Sequence, residues 1–511
     1  MRPANDAATP AARARGRMRA LRLRARALAL AFTFALWGAA TAAGAQPLTE
    51  CRVPGIRNSV QCGVVQRALD PARPDGTKID VHYVVVPAMA RRKLPDPVFL
   101  LAGGPGQSAI GVAAQVMGLF SRLNNRRDIV FVDQRGTGRS APLQCADSKH
   151  QSLAEQADPD AQIRLLMQCK ADLLKLPYIK TARDLGFFTT TIAMQDLDAV
   201  RRQLGAQQLD LVGISYGTRA ALEYMRQFPQ AVRRSVLDAV APPDMVLPTS
   251  FSTDSQAALD ALFAACDREA VCTKTYPTLR ADWAALLAGL PRPVRAEHPL
   301  SGAPERFTMT RDMVLGAVRG ALYTPATAAA LPAAITEAAA GRYEALVGMG
   351  SLLGSRNGVP LAMGMHFSVV CAEDAPLMDR ATDVPGADFG TDFAALYRRV
   401  CAQWPRGAVP AAFYTIPPNR TPTLLFSGGL DPVTPPRHGA RVARALGAAA
   451  QQVVVPNAGH GVLAIGCARD LLYRFIDAAD DKDAIAIDAS CVQGIPRPGV
   501  FLPVGSARGS P

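Results

Sequence analysis

The chain has 511 residues, 49% of them hydrophobic and 19% charged, with 41 Gly and 40 Pro along its length. That leaves ample apolar surface for a buried core and excludes a disordered, collagen-like or coiled-coil protein. The formal charge of +13 is concentrated at the start, where residues 1–45 carry eight Arg and one acid for a net +7; the remaining charges are scattered, so nucleic acid is not expected as a partner.

Residues 1–45 read as a secretory signal. Arg13, Arg15, Arg17, Arg19, Arg22, Arg24 and Arg26 form a positive leader, Ala27–Trp37 an apolar stretch, and Ala43-Gly44-Ala45 a small-residue cleavage site before Gln46. The apolar stretch is shorter than the ~20 residues of a span. The expectation is an exported protein, periplasmic or extracellular, with no membrane span after signal removal.

Beyond the signal, Val60–Leu69 and Lys78–Pro87 flank Asp75-Gly76 and predict a hairpin. Short apolar runs follow, each ending in a Gly-rich or polar loop: Val98–Leu101 before Gly103-Gly104-Pro105-Gly106, Ile129–Val132 before Asp133-Gln134-Arg135-Gly136, Leu209–Val212 before Gly213-Ile214-Ser215, and Ser235–Leu237 before Asp238. Helix-prone segments such as Ile192–Leu204 and Thr218–Phe228 separate several of them. Strand alternating with helix predicts an α/β fold with a mostly parallel sheet covered by helices on both faces. Between residues 244 and 418 the rhythm stops in an Ala-rich, helix-prone stretch, expected to be a mostly helical cap insertion. It divides the sheet domain into 46–243 and 419–511. In the latter, Thr423–Phe426 runs into Gly428-Gly429 and Gln452–Val455 into Pro456.

Ten cysteines lie beyond the signal: Cys51, Cys62, Cys145, Cys169, Cys266, Cys272, Cys371, Cys401, Cys467 and Cys491. None forms C-x-x-C or stands near a His at metal-ligand spacing, so disulfides are expected and no metal or organic cofactor is implied. Connectivity stays open in the sequence; nearest-neighbour pairing, 51–62, 145–169, 266–272, 371–401 and 467–491, closes the shortest loops.

Gly213-Ile214-Ser215-Tyr216-Gly217 is a G-x-S-x-G between a predicted strand and a predicted helix, the setting in which a sharp turn exposes a serine hydroxyl. A nucleophilic serine needs a base oriented by an acid, following in the order Ser, Asp, His. Asp431 and His460 each directly follow one of the last two predicted strands. His438 is expected instead on the helix after Asp431, as a surface or packing residue, and Asp431 has a helix-capping reading beside the catalytic one. In the catalytic reading Ser215 attacks a carbonyl, His460 takes and returns its proton, and Asp431 fixes the imidazole. Tyr216 N–H and Gly104 N–H are the candidate oxyanion donors.

Gly-Gly-Pro-Gly-Gln-Ser (103–108), Asp-Gln-Arg-Gly-Thr-Gly-Arg-Ser (133–140), Gly-Ile-Ser-Tyr-Gly, Leu-Asp-Pro-Val-Thr-Pro and Ala-Gly-His-Gly together resemble the proline iminopeptidase family of serine peptidases, in particular its secreted tripeptidyl-aminopeptidase-like branch. The resemblance runs from about Cys51 to Cys491. It implies an α/β-hydrolase that removes residues or short peptides from free N-termini, with peptides as partners. Ala102 stands where proline iminopeptidases usually carry His, which weakens the case for strict prolyl specificity. Asp133 and Arg135 are expected to organise the active-site floor by ion pairing. An exopeptidase must also recognise an ammonium group, and Glu373, beside Cys371, is the candidate anchor. The competing readings are a secreted carboxylesterase or lipase of the same fold and an inactive binding protein built on it.

Overall fold

A computed structural model of the chain describes residues 48–146, 151–355, 359–416, 418 and 420–503; the expected signal lies outside them. The strands among these residues are β1 (Thr49–Cys51), β2 (Val60–Ala68), β3 (Lys78–Val86), β4 (Val98–Leu101), β5 (Ile129–Val132), β6 (Leu209–Ile214), β7 (Val232–Asp238), β8 (Arg292–Glu297), β9 (Pro304–Met309), β10 (Thr423–Gly428) and β11 (Ala450–Val455). Nine form one sheet in the order β1-β2-β3-β5-β4-β6-β7-β10-β11. From β5 to β11 every pairing is parallel, and β1, β2 and β3 extend the sheet antiparallel.

The short apolar runs are explained by burial on both faces. Val98 and Leu100 of β4 join one cluster with Phe131, Val212, Val236 and Phe426, while Phe99 and Leu101 join another with Val130, Leu211, Leu237 and Leu425. Alternate residues of a strand face opposite sides, so a sheet covered twice needs apolar residues at every position.

Helices of eight residues or more among the described residues are α1 (Ala109–Val116), α2 (Pro159–Leu173), α3 (Thr190–Gln203), α4 (Tyr216–Gln227), α5 (Leu247–Arg268), α6 (Leu279–Ala288), α7 (Arg311–Leu322), α8 (Leu331–Ala339), α9 (Glu344–Ser355), α10 (Met363–Glu373), α11 (Asp392–Cys401), α12 (Pro436–Leu446) and α13 (Ala468–Asp477). Helices α5 to α11 lie between β7 and β10 in the chain, and several of them share a core that includes Phe263, Trp283, Phe307, Val318 and Ile335. Two features of this region differ from the expectation. It contains the antiparallel hairpin β8–β9, whose charged and proline residues hide the strand pattern. Leu153 also belongs to its core, and the Leu153 N–H donates to Glu305 Oε2 at 2.6 Å, so part of residues 151–173 packs on the insertion.

Five disulfides close short loops between sequence neighbours: Cys51–Cys62, Cys145–Cys169, Cys266–Cys272, Cys371–Cys401 and Cys467–Cys491. Cys371–Cys401 joins α10 to α11. Among the described residues no helix is long and apolar enough to cross a membrane.

Candidate active site

Strand β4 lies between β5 and β6, so the chain leaves it to one side first and returns on the other. Such a reversal opens a crevice beyond the carboxyl ends of the strands, where ligands bind in open α/β sheets. The loops after β4 and β6 flank that crevice.

Ser215 sits at the turn from β6 into α4 with φ 57° and ψ −124°. A positive φ at a residue other than glycine costs about 1–3 kcal/mol and persists only where the surroundings enforce it. Here the Ser215 N–H donates to the Asp238 carbonyl at 2.9 Å. The Ser215 carbonyl accepts Thr218 N–H at 2.9 Å and Thr218 Oγ1 at 2.6 Å. The flanking glycines are needed for close approach: a side chain at 217 would collide with the Leu101 carbonyl of β4, and one at 213 with the Gly217 carbonyl.

The loop after β4 runs beside the serine. A Cβ on Gly103 would lie 3.2 Å from Ser215 Cβ and 3.6 Å from its Oγ. Tyr216 opens α4, so its N–H has no acceptor within the helix. Gly104 is the next residue of the β4 loop, with φ 111°.

Asp431 and His460 follow β10 and β11, and His460 Nδ1 lies 2.9 Å from Asp431 Oδ2. An ionised carboxylate only accepts, so Nδ1 carries the proton and Nε2 keeps its lone pair. Asp431 Oδ1 also accepts the N–H groups of Val433 and Thr434 at 2.8 and 2.9 Å, and Thr434 Oγ1 donates to Oδ2 at 2.8 Å. Burial pushes the Asp431 carboxyl up, but His460 and Thr434 outweigh it and hold the group below the usual carboxylate range. The two readings of this residue coexist: it caps the local turn and holds the imidazole.

The His460 loop is tied back toward Ser215 by Asp238, which ends β7 beside β6. The Asp238 carboxylate accepts the Val462 N–H at 2.9 Å and the Leu463 N–H at 3.1 Å. Burial pushes this carboxyl up to about 6, against the pull of those two N–H groups. From the insertion, the Tyr323 carbonyl accepts the His460 N–H at 2.8 Å, and the two rings stand 5.1 Å apart edge to face. Sequence reasoning missed Asp238, Thr434 and Tyr323 as parts of the site. Asp238, named at the end of a predicted strand, and Thr434, inside the quoted Leu-Asp-Pro-Val-Thr-Pro, carried a signal, and Tyr323 carried none.

His438 lies on α12, buried, with Nε2 2.8 Å from Asp254 Oδ2, which agrees with a packing role. Two expectations are corrected. Arg135 pairs with Asp196 at 2.7 Å, but among the described residues Asp133 forms no ion pair. It accepts Ser108 Oγ at 2.6 Å and the N–H groups of Ile110 and Arg139. Desolvation, outweighing these bonds, pushes its carboxyl up.

Glu373, expected to face a cleft as the amine anchor, is 1% exposed. Its Oε1 accepts the Thr190 N–H at 2.7 Å and its Oε2 accepts Thr190 Oγ1 at 3.0 Å, with Arg219 Nη1 3.7 Å away. Every described residue of α10 from Gly364 to Glu373 is buried, so a carboxylate at its end turns inward. There the start of α3 and a guanidinium satisfy it. Burial nevertheless pushes it up to about 7.

Residues 96–327 match the family described as alpha/beta hydrolase fold, and residues 387–491 the family described as TAP-like protein. The chain has the α/β-hydrolase fold. Within that fold it resembles tripeptidyl-aminopeptidase-like proteins. It is 31% identical over 192 residues to the tripeptidyl aminopeptidase of Streptomyces lividans, an alignment covering 36% of each chain. The α/β-hydrolase chain thus spans about a third of that relative's length. It is 24% identical over 424 residues to serine protease Hip1 of Mycobacterium tuberculosis, covering 78% of this chain and 80% of the relative. Carboxylesterase B of the same species is 26% identical over 458 residues, covering 80% and 84%.

Proposed function

We propose that the chain is an exported serine exopeptidase that releases N-terminal residues or short peptides from peptide substrates. In this reading Ser215 is the nucleophile, His460 the general base and then the general acid, and Asp431 the residue that fixes the tautomer and stabilises the imidazolium. Tyr216 N–H and Gly104 N–H receive the oxyanion, since they lie in the turn at Ser215 and in the loop beside it. Removing one side-chain donor from an oxyanion hole costs about 2.7–4 kcal/mol of transition-state stabilisation, which sets the scale for such a contact.

The observation that carries the reading is the Asp431–His460 pair, at 2.9 Å with Asp431 buried, on loops that follow β10 and β11 of the sheet whose β6 ends at a serine held at positive φ. Similarity to two enzymes named as peptidases supports the peptide substrate. Five disulfides support export into an oxidising compartment.

A second reading, a carboxylesterase of the same fold, is favoured by the similarity to carboxylesterase B. One experiment separates them. The purified protein is labelled with a fluorophosphonate, with Ser215→Ala as control, and then given unblocked and N-acetylated peptides beside p-nitrophenyl esters. Labelling lost in Ser215→Ala together with trimming of unblocked peptides only, read by mass spectrometry, is the expected result. Ester hydrolysis without any peptide cleavage favours the second reading, and labelling that survives Ser215→Ala overturns the nucleophile.

A further inference from the structure

The loop after β4, which stands against Ser215 at Gly103, is held from the insertion. The chain entering α10 lies so close to it that a Cβ on Gly104 would come 2.9 Å from Leu361 Cδ1, and one on Gly106 2.7 Å from the Ala362 carbonyl. Two successive carbonyls of the loop meet donors from this segment. The Gly106 carbonyl accepts the Ala362 N–H at 2.9 Å. The Pro105 carbonyl lies 3.2 Å from Nδ1 of His366, which stands in the first turn of α10.

The buried His366 ring serves that carbonyl in one tautomer only. A carbonyl oxygen accepts, so Nδ1 carries the proton and Nε2 its lone pair. Nε2 lies 2.8 Å from Tyr397 Oη, whose hydroxyl then donates to it. Burial pushes the imidazole down to about 4, so the ring is neutral at neutral pH with both nitrogens satisfied. Tyr397 belongs to α11, where its ring packs on Phe367 and Phe393 with centroids 5.3 and 4.9 Å away. The Cys371–Cys401 disulfide joins the same two helices about one turn further along each, and Trp404 Nε1 donates to Ser368 Oγ at 3.1 Å. An apolar side chain would fill this space without needing two partners. The imidazole adds a donor at a fixed point beside the loop.

An oxyanion donor is effective when it is held within about 0.5 Å of its productive place before the charge develops. Resting on the reading of Ser215 as nucleophile and Gly104 N–H as oxyanion donor, we propose that His366 is a positioning residue for the reaction: its Nδ1–H holds the Pro105 carbonyl and thereby aims the neighbouring Gly104 N–H at the developing oxyanion. His366 itself does not touch the reacting carbonyl. The connection runs from Gly104 through Pro105 and His366 to Tyr397, and its last two members belong to the insertion, which in this way sets the geometry of a loop of the sheet domain.

The test uses the full chain, p-nitrophenyl butyrate as substrate, and phenylboronic acid, which forms a tetrahedral adduct on an active serine, as the transition-state mimic. His366→Leu removes the donor, His366→Gln moves it to where Nε2 stood, and His366→Asn restores it where Nδ1 stood. In His366→Leu and His366→Gln, kcat is expected to fall about tenfold or more with KM little changed, and the inhibition constant of the boronic acid to rise by the same factor. His366→Asn is expected to keep kcat within about threefold of wild type. Thermal unfolding checks that each variant folds; should His366→Leu fail to fold, the contrast between His366→Asn and His366→Gln decides alone. Equal kcat in those two, or a loss carried by KM with boronic acid inhibition unchanged, makes His366 a packing residue and overturns the proposal. Wild-type turnover that survives Ser215→Ala overturns the serine reading and this proposal with it.

Discussion

The Asp238 carboxylate accepts the Val462 N–H at 2.9 Å on both oxygens, two residues beyond His460. Because the Asp238 carbonyl also takes the Ser215 N–H, one residue joins the serine turn to the histidine loop. Asp238→Asn would turn one of those oxygens into an amide facing two N–H donors. We expect kcat to fall about tenfold or more with KM little changed, and stability to fall by about 1–3 kcal/mol. Steady-state kinetics and urea unfolding check both numbers; an unchanged kcat would show that the loop holds itself.

The same residue leaves a signature in the pH dependence of stability. Its carboxyl is pushed up to about 6 by burial, against about 3.9 for an unfolded aspartate. Between those values the unfolded chain gives up the proton first, so this group's contribution falls as pH rises from about 4 to 6 and is level above. Asp431 runs the other way: held low by His460 and Thr434 despite burial, its contribution is present above the unfolded value and lost as pH falls through the folded one. The difference in stability between wild type and Asp238→Asn should therefore narrow from pH 4 to 6 and then stay constant. Melting temperatures measured from pH 3 to 8 read this directly, and a gap that widens with pH would contradict it.

Much of this site could be read along the chain because its motifs are local. Ser215, Asp431 and His460 each follow a short apolar strand, and the order of the three is set by the direction of the sheet. What could not be read involves partners far apart in sequence. Glu373 meets Thr190 from 183 residues away, and the burial that makes it unfit to meet solvent is a property of the whole insertion. Asp133 and Arg135 are two residues apart, yet in the irregular turn after β5 one meets the start of α1 and the other Asp196 on α3. The β8–β9 hairpin carries Arg292, Pro293 and Arg295 on its first strand, which mask the strand periodicity.

Thr434 links acid and base, with its Oγ1 2.8 Å from Asp431 Oδ2 and 3.1 Å from His460 Nδ1. Thr434→Val keeps the shape and the backbone N–H bond to Oδ1 but removes the hydroxyl. A several-fold loss in kcat at constant KM is expected, with a stability loss of about 1 kcal/mol. If KM moved and kcat did not, the hydroxyl would be a substrate contact instead.

Glu373, buried against Thr190 and Arg219, should behave as a structural group. Glu373→Gln retains an acceptor for the Thr190 N–H and is expected to lower stability by about 1–3 kcal/mol. Whatever activity it loses should be lost equally on free-amine peptides and on p-nitrophenyl esters. A selective rise in KM for free amines would return the amine-anchoring role to this residue.

Finally, Tyr323 and Ser255 belong to the insertion, yet one holds the His460 backbone and the other the residue after Asp431. An insertion bonded to both of these loops cannot swing away as a rigid body without disarming them.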